Sequence, residues 1–306
     1  MDDITRLTGT RYPIMMGALG AIAGPELVAA VSEAGGLGLI ATIGMDSDSL
    51  RERIQRVREM TDRPFGANLM VLNPEAPKLA EVLAEQRVKV VTTSAGSPRV
   101  LTSMLHDLGL QVLHVIPSPE LAFKAESSGV DGVVAEGGES GGMQSPTAIS
   151  TMCLVPEVVD AVTVPVVAAG GVFDAHGYAA ALALGAMGVQ LGTALILTEE
   201  SAAHPEYKRA LIDAGPQDTV VVPMAVGPLR VLKNDFLTRT MELDPEPRKQ
   251  AITEAWLRFN ETCTKESADA GLVMAGQCAG AIKAIVPARE LIDRIATGGA
   301  EILHAR

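Results

Sequence analysis

Two carboxylates, four glycines and one serine occupy the seven residues Glu136 to Gly142, directly after a β-branched run that ends at Ala135. Such a mixture can do chemistry. Carboxylates bind hydroxyl groups or move protons, and a serine can carry a proton between them. Gly137, Gly138, Gly141 and Gly142 are expected to take positive φ and to bring bare N–H groups against a ligand. Glu139 and Ser140 are candidate proton donors, although Glu139 reads equally well as a solvated loop carboxylate.

Two later stretches repeat the pattern of a short apolar run followed by glycine: Ala168-Ala169-Gly170-Gly171-Val172 and Gln190-Leu191-Gly192-Thr193. Backbone N–H groups there, with a helix starting just beyond, would concentrate positive potential where an anion can approach, which suits a phosphate. Earlier loops add uncharged polar groups and thioethers: Met15-Met16-Gly17, Asn68, and Thr92-Thr93-Ser94-Ala95-Gly96. This set fits a planar, amphipathic heterocycle better than a metal ion. No cluster of His, Asp and Glu with ligand spacing is found. His106, His304 and His204 read as structural or solvated, and His176 falls in the first turn of a predicted helix. His114 lies inside a predicted strand near the same loops, as a ligand contact or a hydrogen-bonded core imidazole.

The elements that must hold these loops are short apolar runs alternating with helical periodicity. Eight predicted strands cover 12–16, 37–41, 65–71, 88–92, 111–115, 132–135, 166–168 and 188–191. The intervening helices cover 25–34, 47–60, 75–86, 98–108, 118–128, 149–162 and 175–184. Ser47, Ser118 and Asp174 mark helix starts, and Gly35, Gly109, Gly129 and Gly185 mark ends. Two half-units, 128–134 and 184–190, share the order helix end, glycine, short link, glycine, strand. Eight such units predict an α/β fold, a (β/α)₈ TIM barrel whose ligand groups gather at the C-terminal ends of the strands.

The rhythm breaks after Thr193. A helix over 199–213, an irregular segment over 219–239 and a charged amphipathic helix over 245–267 carrying Trp256 predict a helical excursion beside the barrel mouth. A small glycine loop at 271–278 and a closing helix at 288–297 then return to the barrel. The expected organisation is a barrel over 1–198 and 271–306, with the excursion at 199–270.

Composition narrows the classes. At 306 residues with 47% hydrophobic but only 3% aromatic side chains, the chain suits close helix-on-strand packing by small residues. A net charge of −12 gives no electrostatic footprint for nucleic acid or an anionic membrane. Cys153, Cys263 and Cys278 stand far apart, as free thiols of a reducing compartment do. The acidic N-terminus lacks the apolar stretch of a signal peptide, so a cytoplasmic location is expected. The uncharged stretch 178–197 has membrane-spanning length, but Gly185 suggests a helix followed by a strand.

In order along the chain, Tyr12-Pro13-Ile14-Met15-Met16-Gly17, Glu33-Ala34-Gly35-Gly36-Leu37-Gly38, Arg63-Pro64-Phe65-Gly66-Ala67-Asn68, Ala135-Glu136-Gly137, Ala168-Ala169-Gly170-Gly171, Gly192-Thr193 and Val273-Met274-Ala275-Gly276-Gln277 resemble the nitronate monooxygenase (2-nitropropane dioxygenase) superfamily. Within it the chain looks most like the FMN-dependent enoyl-acyl-carrier-protein reductase II branch. The resemblance implies one FMN at the barrel mouth, with NADH or NADPH as electron donor. It puts the FMN phosphate on Gly170, Gly171, Gly192 and Thr193, beside Ala169, and the ring and ribityl chain near Met15, Met16, Gly17, Asn68, Glu136 and Gly141. Ala18, Met274, Ala275, Gly276 and Gln277 fall on the substrate side. A homodimer is expected from the resemblance alone.

One departure matters. The family's strand-six loop usually carries a histidine after its glycine pair, and Met143 stands there in this chain. A thioether neither gives nor takes a proton at neutral pH, whereas redox chemistry carried by a cofactor needs less acid–base help. The expected function is therefore an FMN-dependent NAD(P)H oxidoreductase reducing an activated C=C bond in a small-molecule or acyl-thioester substrate. Proton donors open to it are solvent, Ser140, Glu139 or the 274–277 loop. The competing readings are a nitronate monooxygenase and a catalytically silent flavin-binding barrel.

Overall fold

The structure, a computed structural model, describes residues 3–305. The parallel strands β1 (Ile14–Met16), β2 (Gly38–Ala41), β3 (Phe65–Met70), β4 (Val90–Ser94), β5 (Gln111–Ile116) and β6 (Gly132–Glu136) follow one another around a barrel. A two-residue strand, β7 (Gly142–Met143), leaves it, and β8 (Val166–Ala169) and β9 (Gly188–Leu191) complete it. β9 pairs with β1 in register Met15 with Gln190. The remaining gap is bridged where Leu37 N–H donates to Ile14 O and Met16 N–H to Leu37 O, both at 2.9 Å. All eight predicted barrel strands and the seven helices between them are present, so the chain is a (β/α)₈ barrel.

Physical causes are visible at single residues. Leu39, Ala67, Val91, Leu113, Val134, Val167 and Val189 are fully buried in one continuous core, as expected for strands covered on both faces. Ser118 and Asp174 cap their helices by accepting from Leu121 N–H and Gly177 N–H. Gly185 ends the helix Ala175–Ala183 at φ 97°, so the uncharged 178–197 stretch is a helix followed by β9. No helix among the described residues is long and apolar enough to cross a membrane.

The excursion departs from expectation. The segment predicted as irregular is a hairpin, β10 (Thr219–Met224) and β11 (Gly227–Leu232), followed by the helix Asp235–Met241. Pro223 and Pro228 lie opposite one another in the hairpin and hide it, because proline inside an apolar run argues against a strand. The long charged helix is two, Pro245–Leu257 and Phe259–Lys265. One stretch of β11 pairs with β7, Leu229 with Met143, and the next pairs with β12 (Val273–Met274), Val231 with Met274. The excursion is thus a small antiparallel sheet with helices, and through β7 and β12 it grips the barrel's sixth loop and the 271–278 loop together. The closing helix runs on through two glycines as Ala288–His304, because a Cβ at Gly299 would strike the Tyr178 ring of the neighbouring helix.

Candidate functional site

Two adjoining cavities lie at the C-terminal ends of the barrel strands, one of about 820 Å³ and one of about 120 Å³. Ala18, Glu136, Gly141 and Gln190 line both. The smaller is walled by Gly170, Gly171, Gly192 and Thr193, with Gly17, Ala169, Ser140, Met274 and Gly276 around them. Of the two, the smaller suits a compact group such as a tetrahedral oxyanion and the larger suits a ring. Gly170 and Gly171 adopt φ of 103° and 77°, which side-chain-bearing residues rarely reach. A Cβ at Gly192 would meet only Leu19 Cδ2 at 3.8 Å, so the space in front of that backbone is left open. Thr193 Oγ1 accepts from Gly276 N–H at 2.9 Å, tying the eighth-strand loop to the loop after β12.

The larger cavity lies within the size range of cofactor and ligand pockets. Asn68 and Met70 reach it from β3, Ser94 from β4, His114 from β5 and Met143 from β7. Asn68 Nδ2 donates to Thr92 Oγ1 at 3.0 Å, fixing its amide. His114 shares a 2.7 Å hydrogen bond with Thr93 Oγ1, and burial pushes its pKa down to about 4. The imidazole is therefore neutral at physiological pH and tied to the wall.

Glu136 ends β6 between the two cavities. It is half-buried, and desolvation raises its pKa to about 7, opposed by a hydrogen bond with Ser140. Ser140 Oγ in turn accepts from Gln144 Nε2 at 2.7 Å.

Several sequence expectations need correction. Of the four loop glycines only Gly142 has positive φ. The others are small for closeness: a Cβ would run into Thr151 at Gly137, meet Ala148 O at 2.6 Å at Gly138, and lie 2.5 Å from the Ala275 carbonyl carbon at Gly141. Glu139 lines neither cavity and is not a solvated carboxylate. One of its oxygens accepts from both Thr151 N–H and Thr151 Oγ1 at 2.8 Å, anchoring the start of the helix Thr151–Ala161. Met15 and Met16 are fully buried in the barrel core and line neither cavity, although Gly17 beside them does; the thioethers that line the cavities belong to Met70, Met143 and Met274. Ala275 is buried and Gln277 exposed, and neither lines a cavity, although Gln277 N–H holds Glu139 O at 2.9 Å.

Residue reasoning missed Gln190 and Arg230. Gln190 is a lone amide in the apolar strand Gly-Val-Gln-Leu, a signal that was present. Arg230 sits in β11, 8% exposed, and its Nε donates to Gly138 O at 3.0 Å. Burial lowers its pKa, and the Glu139 charge works against that shift.

The nitronate monooxygenase family description matches residues 2–86 and 75–298. A Rhodococcus jostii (3aS,4S,5R,7aS)-5-hydroxy-7a-methyl-1-oxo-octahydro-1H-indene-4-carboxyl-CoA dehydrogenase is 39% identical over 76% of this chain; the match spans 66% of that relative's length. A Pseudomonas aeruginosa nitronate monooxygenase is 36% identical over 69% of this chain and 73% of its own. Among solved structures, FabK from Thermotoga maritima superimposes with a TM-score of 0.91 at 37% identity, covering 100% of this chain and 98% of that one. A nitroalkane oxidase from Streptomyces ansochromogenes reaches 0.83 at 30% identity over 99% of both chains. The barrel, its paired cavities and these likenesses identify the chain as a member of the nitronate monooxygenase family of oxidoreductases.

Proposed function

We propose that this oxidoreductase uses FMN and NAD(P)H to reduce an activated C=C bond in an acyl-thioester or enone-like substrate. The carrying observation is Met143. At the position where the family resemblance expects a catalytic histidine, the wall of the larger cavity presents a thioether, held in place by the pairing of β7 with Leu229 of β11. A thioether cannot take the proton that base-assisted oxidation of a nitroalkane requires.

The residues present fit the cofactor. The small cavity, with its glycine backbone and open space before Gly192, accepts the phosphate, and the larger accepts the ring beside Asn68, Met70 and Gln190. Bound FMN supplies two-electron redox chemistry at its ring. Backbone N–H groups of the two glycine loops would orient the phosphate end, Asn68, whose Nδ2 is engaged by Thr92, would offer its Oδ1 as an acceptor to a ring edge, and Glu136 stands between the phosphate and ring regions. The acyl-thioester class is supported by the relative named as a carboxyl-CoA dehydrogenase and by the FabK likeness.

Nitronate oxidation is the second reading, favoured by the relative of that name and by the fact that an anionic nitronate has already lost its proton. Anaerobic addition of NADH, NADPH and propyl-2-nitronate to separate samples of the flavin-loaded protein distinguishes them. Bleaching of the flavin by a nicotinamide, reversed by an enoyl thioester, supports the proposal. Bleaching by nitronate alone overturns it.

A further inference from the structure

We infer that Arg99 and Lys124 form an anion subsite at the outer end of the large cavity, which takes the pantetheine phosphate of a phosphopantetheine-type thioester such as a CoA ester. The ligand's identity rests on the proposed function. Charge is distributed unevenly along this cavity. Among its lining side chains the carboxylate is Glu136, at the inner end shared with the small cavity, whereas Arg99 and Lys124 are exposed at the opening. In a chain of net charge −12, two cations in one cavity mouth with no carboxylate beside them in its wall create a local field opposite in sign to that of the whole molecule.

Topology separates this end from the glycine loops. Arg99 sits in the single turn Pro98–Val100 that follows β4, and Lys124 in the helix Pro119–Glu126 that follows β5. Around the barrel the strands run β1, β9, β8, β6, β5, β4, β3, β2, so β4 stands four places from β9 in either direction, across the mouth. A ligand whose phosphate lies on the loops after β8 and β9 therefore leaves the basic pair to the anionic group of a second molecule. The turn that carries Arg99 is closed by Leu101 N–H and Thr102 Oγ1, which both donate to Pro98 O, at 3.2 and 2.8 Å, and it packs on the helix of Lys124.

Among the described residues neither cation forms a salt bridge, so both are open to a ligand. Glu120, one turn before Lys124, is hydrogen-bonded to Ser118 and lines neither cavity. The guanidinium offers a planar fork and the ammonium a point charge to phosphate oxygens, and Ser97 adds a hydroxyl in the same wall. Much of the remaining lining is apolar, including Met70, Met143, Val115, Ile116 and Leu121. A thioester with its acyl group in the inner part of the cavity would lay its pantetheine arm along these side chains and bring its phosphate to the opening. A volume of about 820 Å³, near the upper end of ligand pockets, leaves room for that arm beside a cofactor ring.

Isothermal titration of the flavin-loaded protein with CoA, phosphopantetheine and pantetheine reads the subsite without turnover. Both phosphate-bearing ligands should bind wild type at least about tenfold more tightly than pantetheine, and that advantage should be lost in the double variant Arg99→Gln/Lys124→Gln and shrink at high salt. Single variants serve if the pair proves unstable. In turnover, the preference of reduced flavin for crotonyl-CoA over crotonyl-N-acetylcysteamine, which has no phosphate, should fall at least about tenfold in the double variant. Equal binding of pantetheine and phosphopantetheine to wild type overturns the inference, as does an advantage that survives in the variant. A loss seen with CoA but not phosphopantetheine overturns it by giving the cations to the nucleotide, and a loss confined to bleaching by NADH or NADPH overturns it by giving them to the electron donor. Failure of both nicotinamides to bleach the wild-type flavin would instead remove the proposed function, while the titrations still decide the subsite.

Discussion

Replacing Arg230 with methionine isolates the contact by which the small sheet holds the Glu136–Gly142 loop. Arg230 donates from Nε to Gly138 O at 3.0 Å and from Nη1 to Thr219 Oγ1 at 3.3 Å, and its backbone pairs with Gly142. Methionine preserves length and apolar packing but has no donor, so the buried Gly138 carbonyl loses the guanidinium. Bonds from a charged donor contribute about 1.5–3 kcal/mol each, the longer one at the low end. Removing a buried guanidinium returns part of that through relief of its desolvation. The net expected loss is about 2–3 kcal/mol in urea unfolding of the apoprotein. Because Gly138 lies between Glu136 and Gly141, part of the loss should also reach the cofactor wall. A shift of about 1.4 kcal/mol there raises the FMN dissociation constant tenfold. Fluorescence titration of FMN alongside the urea curve reads both. Unfolding within about 0.5 kcal/mol of wild type and an unchanged FMN affinity would refute the idea that Arg230 clamps this loop.

Three further outcomes are expected. Gly141→Ala puts a Cβ 2.5 Å from the Ala275 carbonyl carbon and 2.6 Å from Gly276 N, so it should cost about 1–3 kcal/mol by overpacking and weaken FMN binding, read by thermal unfolding and flavin fluorescence. Met143→His should raise oxygen consumption with neutral 2-nitropropane at least about tenfold by restoring a base at the cavity wall; no gain in an oxygen-electrode assay would show that Met143 does not limit that reaction. Stability should also depend on pH through Glu136, whose pKa rises from 4.5 unfolded to about 7 folded. The folded state binds the proton more tightly, so this contribution is complete below 4.5, falls as pH rises to 7 and is absent above it. Its size is up to about 3 kcal/mol, reduced by water in the cavity. The urea-unfolding difference between wild type and Glu136→Gln should change by this amount between pH 4.5 and 8, and a difference that stays constant over that range refutes the linkage.

Barrel strands and helices were legible because each is a local pattern. Apolar runs of three to six residues, capping side chains at Ser118 and Asp174, and the left-handed glycine at Gly185 all act within a few residues of themselves. The phosphate-loop glycines were legible for the same reason, since Gly170 and Gly171 need glycine for their own backbone angles. The hairpin of β10 and β11 was not, because its facing prolines read as breakers until each strand has a partner. Met15 and Met16 misled because thioethers suit a core as well as a ligand, and the barrel turned them inward.

The amino-acid sequence by itself determined the alternation of strand and helix, the glycine loops at the strand ends and the thioether at position 143, because backbone preference and side-chain chemistry belong to single residues and near neighbours. Tertiary structure decided what those residues face. It bound Glu139 to Thr151, set Arg230 against Gly138 across 92 positions of sequence, and left Glu136 between two cavities. Hydrogen-bond partners and desolvation arise only when distant segments meet, so the roles of the two loop carboxylates, alike in type and three residues apart, were separated by the fold.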